Sequence, residues 1–187
     1  MRIALISDIH GNHVALEAVL HDIDHSGVDQ IICLGDVASV GPQPREVMAT
    51  IKSLRCITIQ GNHDASMLDI ASASDNHIAP LLHPTLAWGR AQLSGDDLKF
   101  MASFPMTCSL DLGYGYNMLC FHGSPKSYTD TILSATPSKE LDYFFSGTTE
   151  NILVGGHTHI QMLRRYEGKM IITAAAATPT KNVKLAI

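Results

Sequence analysis

The first sixty residues alternate short apolar runs with segments of helical periodicity, and this alternation restricts the fold more than any other property of the chain. Arg2 to Ser7 reads Arg-Ile-Ala-Leu-Ile-Ser, the nearly continuous apolar run of a strand covered on both faces. Gly11-Asn12 follows, and Asn12 is a good helix N-cap. Leu16, Val19, Leu20 and Ile23 then recur at helical spacing, which predicts an amphipathic helix from His13 to about His25, stopped by Gly27. Gln30 to Leu34 is a second apolar strand, Pro44 to Leu54 a second helix with Val47, Met48 and Ile51 inward, and Arg55 to Ile59 a third strand. Strand, helix, strand, helix, strand in this order predicts a parallel sheet with crossover helices.

The rest of the chain changes character. Residues 64 to about 104 read as helical, punctuated by Pro80, Pro84, Gly89 and Gly95, with Ser94 capping a helix from Gly95 to Phe104. Cys108 to Leu112 and Asn117 to Phe121 flank Gly113-Tyr114-Gly115-Tyr116 and predict a hairpin. A helix over 138–146 and strands over Asn151 to Val154, Gln161 to Tyr166 and Lys169 to Thr173 complete the pattern. The expectation is one α/β domain spanning 1–187, with two packed sheets and helices outside them. Trp88 is expected to anchor the central helices.

The chemistry sits where the strands end. Asp8-Ile9-His10, Gly35-Asp36, Gly61-Asn62-His63-Asp64, His122-Gly123 and Gly155-Gly156-His157-Thr158-His159 occur in that order. Asp8, Asp36 and Asn62 each follow one of the three predicted parallel strands, and ligands gather beyond the carboxyl ends of such strands. His122 follows the second strand of the hairpin in the same way. Asp8 and His10, like His157 and His159, are two residues apart and can face the same way in extended chain. Carboxylate, amide and imidazole donors without thiolate suit Mn, Fe, Zn, Ni or Co. Five of the ten histidines lie in these segments. His21, His25, His77 and His83 read as ordinary surface or core residues, and His13 is a weaker candidate for substrate contact at a helix start.

These five ordered segments resemble the calcineurin-like metallophosphoesterase superfamily, over about residues 1 to 160, and most of all its small bacterial and archaeal phosphodiesterases. The resemblance implies a four-layer α/β/β/α sandwich of two mixed sheets with flanking helices. It implies two divalent metal ions, manganese first among the candidates. Asp8, His10, Asp36 and His159 would hold one ion; Asp36, Asn62, His122 and His157 would hold the other, with Asp36 as the bridge. His63 would face the substrate as acid or electrostatic stabiliser, and Asp64 would orient it; Asp64 could equally cap the helix after it, and the two roles are compatible. The implied reaction is hydrolysis of a phosphodiester in a small or nucleotide-like substrate by metal-activated hydroxide. Asn12, at the mouth of the site, is a candidate substrate contact as well as an N-cap.

Two departures refine this expectation. Protein phosphatases of the superfamily read Gly-Asp-x-x-Asp-Arg-Gly at the second segment, whereas this chain has Gly35-Asp36-Val37-Ala38-Ser39-Val40-Gly41. The arginine suited to clamping a phosphate dianion is missing, which favours a diester over a monoester. Val40-Gly41-Pro42-Gln43-Pro44 resembles a Gly-Pro-x-Pro loop of bacterial members. At the C-terminus, Thr173-Ala174-Ala175-Ala176-Ala177-Thr178-Pro179 stands where close relatives have Asn-Pro-Gly-Ser. The alternatives are a phosphomonoesterase acting on nucleotides or sugar phosphates, and a non-catalytic interaction module with this fold.

Bulk properties narrow the partners. The net charge of −5 and the lack of a basic run argue against binding long nucleic acid. No apolar run approaches membrane-spanning length. The N-terminus lacks a signal peptide's apolar region, and the four cysteines have no C-x-x-C spacing. A cytoplasmic protein with reduced core cysteines, able to form a homo-oligomer, is expected.

Overall fold

In a computed structural model of the chain, which describes residues 1–176, four layers stack as helices, sheet, sheet and helix. The first sheet holds β1 (Ile3–Ile6), β2 (Gln30–Cys33) and β3 (Ile57–Thr58), in that order and parallel throughout. Helices α1 (His13–Asp24) and α2 (Pro44–Leu54) provide the crossovers. The second sheet is mixed and has the order β4-β5-β6-β8-β7, from β4 (Cys108–Gly113), β5 (Tyr116–Cys120), β6 (Ile152–Gly155), β7 (Met162–Tyr166) and β8 (Lys169–Thr173). Among the described residues, antiparallel pairing is therefore confined to the second sheet.

Side-chain alternation along the strands explains why the sheets stack. On β2, Ile32 enters the core between the sheets while Cys33 faces the helices with Leu16, Val47, Met48 and Ile51. On β5, Met118 and Cys120 face the inter-sheet core, and Leu119 and Phe121 face α6 (Ser138–Phe144). The same split separates Ile152 and Val154 from Leu153 on β6, and Ile172 from Ile171 on β8. Each sheet is thus apolar on both faces, which requires cover on both sides.

The region after β3 is more broken than its sequence suggests. Two 3-10 turns, Ile70–Ala73 and Pro80–Leu82, separate helix α3 (Asn62–Leu68) from α4 (His83–Gln92), and α5 (Gly95–Ala102) follows after Leu93 and Ser94. Ser94 caps α5 by accepting from the Asp97 amide, as its sequence predicts. Gly89 does not interrupt α4: it lies buried inside the helix. Trp88 is not an anchor either, being 44 % exposed, and Leu86 fills the inward position. The hairpin turns at Tyr114-Gly115, both at positive φ, the geometry that matches strand twist in a two-residue loop. All four cysteines are free, Cys33 and Cys120 fully buried. No described helix is long and apolar enough to cross a membrane. Residues 177–187, which include part of the atypical C-terminal stretch, lie outside the described residues.

Candidate metal centre

Every segment singled out in the sequence lies at the carboxyl end of a strand. Asp8 and His10 follow β1, Asp36 follows β2, and Asn62 and His63 open α3 just after β3. These come from the first sheet. His122 follows β5, and His157 and His159 follow β6, from the second. The strand ends are locked by backbone hydrogen bonds: the amides of Asp8 and His10 donate to the carbonyls of Gly35 and Asp36, and that of Gly156 donates to His122.

The backbone here is unusual. Asp8, His10, Asp36, His157 and His159 all have positive φ, between 48° and 67°. Five of the seven nominated ligands therefore occupy a left-handed conformation that non-glycine residues rarely adopt, although Asp, Asn and His tolerate it best. Such strain persists where the surroundings over-determine it, and it gathers at functional sites. Two glycines make room. A Cβ on Gly61 would sit 2.1 Å from Asp36 Oδ1, and one on Gly156 would sit 2.2 Å from Ser7 Oγ and 3.1 Å from Asp8 Oδ2.

The donor atoms converge in three groups, each within 4.8 Å: Asp8, His10 and His159; His10, Asp36 and His63; Asp8, Asp36 and His122. Asp36 Oδ2 lies 3.8 Å from His10 Nε2 and 3.4 Å from His122 Nε2. Asn62 Oδ1 is 3.1 Å from His122 Nε2. His157 stands beside this set, its ring 5.2 Å from that of His122 and its amide donating to Asp8 Oδ2. His159 Nε2 lies 3.2 Å from Asp8 Oδ1 without hydrogen-bonding geometry, so that this buried oxygen has no hydrogen-bond partner.

Surrounding groups aim the donors. Ser7 Oγ and the His157 amide occupy Asp8 Oδ2, which leaves Oδ1 free. His122 Nδ1 donates to the Leu34 carbonyl at 2.7 Å, which turns Nε2 inward. Asn62 Nδ2 donates to the Asn76 carbonyl, which leaves its oxygen for the centre. Leu34 and Asn76 act through main-chain atoms, so their sequence identities carry no signal for these roles.

Asp64 and Asn12 are occupied by backbone amides. Asp64 does not orient His63. As the third residue of α3 it folds back, and its carboxylate accepts from the amides of Gly61, Asp36 and Val37 at 3.0, 2.7 and 2.9 Å. It fixes the loops that carry Asp36 and Asn62. His63 Nδ1 is buried without a partner, and the His63 ring packs edge-on against His10. Asn12 behaves as the N-cap of α1, accepting from the Ala15 amide. His13 bonds Thr50 and so ties α1 to α2.

The electrostatics call for a cation. Asp8, Asp36 and Asp64 are buried together, and among the described residues no Lys or Arg pairs with any of them. Burial opposes charge on His122, but Asp36 and Asp8 outweigh it and push its pKa up to about 10. That imidazolium partly offsets the carboxylates when no metal is bound, and holds Asp36 well below the usual carboxylate range against the cost of its own burial. Burial and the neighbouring Asp36 charge push Asp64 up to about 7. An oxygen- and imidazole-rich donor set with an orphaned carboxylate oxygen fits divalent metal.

Comparison with known proteins agrees with this geometry. The model of the calcineurin-like phosphoesterase superfamily domain matches residues 1–184. An uncharacterised protein of Methanocaldococcus jannaschii is 31 % identical over 170 residues, which cover 91 % of this chain and 67 % of that protein. A symmetrical bis(5'-nucleosyl)-tetraphosphatase of Citrobacter koseri is 37 % identical over 86 residues, 44 % of this chain and 30 % of the relative. A metallophosphoesterase structure from Sphaerobacter thermophilus superposes with a TM-score of 0.74 at 28 % identity, covering 95 % of this chain and 77 % of that one. A Pyrococcus horikoshii protein shares the fold, with a TM-score of 0.81 at 20 % identity over 94 % of this chain and 77 % of that one. The chain belongs to the calcineurin-like phosphoesterase superfamily. Its class is that of the metal-dependent phosphoesterases.

Proposed function

We propose that this protein hydrolyses phosphodiester bonds in a small or nucleotide-like substrate, using two divalent metal ions. The observation that carries this reading is the central position of Asp36, whose Oδ2 lies 3.8 Å from His10 Nε2 on one side and 3.4 Å from His122 Nε2 on the other. Asp8, His10, Asp36 and His159 would hold one ion, and Asp36, Asn62, His122 and His157 the other. Bound divalent ions would supply Lewis acidity and positive charge for the phosphate oxygens. His63 serves the leaving oxygen. Burial holds its pKa down to about 4 in the metal-free protein, and an anionic phosphate beside the ring would favour the protonated, proton-donating form. Asp64 keeps the Asp36 and Asn62 loops in register.

A diester is preferred to a monoester because the site has no arginine or lysine clamp among the described residues. Arg90 is spent on the carbonyls of Met67 and Leu68, and Arg164 on those of Leu133, Ser134 and Thr136. Fewer cations suit a substrate with less charge. Manganese is the first metal to test, and a cytoplasmic setting suits four free cysteines. The partial match to symmetrical bis(5'-nucleosyl)-tetraphosphatases favours a second reading, in which the substrate is a dinucleoside polyphosphate.

The test is release of p-nitrophenol from bis(p-nitrophenyl) phosphate by Mn²⁺-loaded protein, set beside kcat/KM for p-nitrophenyl phosphate and diadenosine tetraphosphate. Metal-dependent turnover with the simple diester ahead supports the first reading. Preference for the dinucleotide selects the second, and preference for the monoester selects a phosphomonoesterase. No turnover above background on any of them rejects the proposal. Less than one ion per chain after reconstitution would instead favour a non-catalytic module.

A further inference from the structure

Among the described residues, His10 is the one nominated imidazole ligand whose outer nitrogen is held by a side chain from another segment. Its Nε2 points to the centre, 3.9 Å from Asp8 Oδ1, 3.8 Å from Asp36 Oδ2 and 3.2 Å from His159 Nε2. Its Nδ1 lies 3.1 Å from Ser39 Oγ. Ser39 is fully buried, and among the described residues this contact is the one hydrogen bond of its side chain. His122, by contrast, is held by the Leu34 carbonyl, which substitution cannot remove.

The loop carrying Ser39 is built to keep it there. The Gly41 amide donates to the carbonyls of both His10 and Ser39, the Gly11 amide to Val37, and the Gln43 amide to Gly11. The two loops are therefore stitched together from both sides of Ser39. A Cβ on Gly41 would meet the His10 carbonyl at 2.2 Å, so only glycine allows this approach. Between Ser39 and Gly41, Val40 has φ of 69° and is the one β-branched residue at positive φ among the described residues. Left-handed backbone is a true outlier for such a residue. Nothing about Val40 requires this conformation, but the path that seats Ser39 beneath His10 does.

We infer that Ser39 is a positioning residue: its hydroxyl accepts the Nδ1 proton of His10 and so presents the unprotonated Nε2 to the ion shared with Asp8, Asp36 and His159. The inference rests on the two-metal reading. A metal-bound imidazole depends on the partner of its other nitrogen for both tautomer and orientation, and loss of such a partner typically costs about 10- to 100-fold in metal affinity. The effect should fall on one ion only, because Ser39 touches no group of the Asn62, His122 and His157 set.

The test compares wild type, Ser39→Ala and Ser39→Thr by Mn²⁺ titration calorimetry and by the ring ¹⁵N shifts of His10 in metal-free protein. Two ions should bind wild type. In Ser39→Ala one should weaken about 10- to 100-fold while the other is unchanged, and the His10 shifts should move from a single Nδ1–H tautomer to a mixture. Ser39→Thr, which keeps the hydroxyl, should restore both. Unchanged affinities and an unchanged tautomer would overturn the inference. Equal weakening of both ions with a lowered Tm would also overturn it, by showing a merely structural role. If wild type bound no metal, the two-metal reading would fail by itself, and the inference with it as regards the ion. The tautomer measurement would still decide whether Ser39 sets His10.

Discussion

At the scale of single residues, the centre separates groups that hold charge from groups that move it. His63 lies beside the donors with an unpartnered Nδ1, so His63→Ala should lower kcat by about 10²- to 10⁴-fold, the usual contribution of general acid catalysis. Metal content, measured by elemental analysis, should stay at the wild-type value. A parallel loss of metal would instead make His63 a ligand. His122 makes a second prediction, for metal-free protein. Its pKa rises from 6.5 in the unfolded chain to about 10 in the fold. The stabilisation by charged His122 is therefore complete below pH 6.5 and is lost as pH climbs toward 10. The Tm of chelator-treated protein, followed by scanning calorimetry, should fall across that window. Metal must displace the same proton, so apparent affinity should rise over the same range.

At the scale of elements, each strand delivers its ligand through a turn that only glycine can make. Gly61 packs against Asp36 so closely that Gly61→Ala forces the carboxylate aside. Overpacking of this kind costs about 1–3 kcal/mol, and the variant should lose Tm and bind metal more weakly in titration. An unchanged variant would mean that the strand ends are looser than they look. Elements were also where the sequence was most legible. The strands, the crossover helices and the hairpin follow from apolar runs, caps and turn residues, and α2 and β8 fall where the pattern puts them. Misreadings came where local signals compete. Gly89 looks like a helix breaker but lies buried within α4. Asp64 adjoins His63 in sequence, yet a helix start sends neighbouring side chains in different directions, and its carboxylate reaches the backbone at Asp36 and Val37 instead. The parts played by Leu34 and Asn76 were invisible because main-chain carbonyls perform them.

At the scale of the whole molecule, the nominated ligands come from both sheets, Asp8, His10, Asp36 and Asn62 from one and His122, His157 and His159 from the other. The inter-sheet core of Ile32, Leu34, Ile59, Met118 and Val154 already joins the layers. Bound metal would add a second join, at the edge of that seam. Ligands that bind only the folded state stabilise it by about 2.7 kcal/mol at a hundredfold excess over Kd. Adding Mn²⁺ to chelator-treated protein should therefore raise Tm in a concentration-dependent way. A Tm indifferent to Mn²⁺ would show that the donors do not clasp an ion across the seam.

The span of that seam along the chain also orders events during synthesis. Asp8 leaves the ribosome well before His159, which emerges only after β6, the third strand of the second sheet, has been made. A nascent chain must therefore carry two carboxylates without most of their imidazole partners, and the cage can close only once the segment bearing His157 and His159 has followed. Cation capture is in that sense a late proofreading step, open only to chains whose two halves have already met.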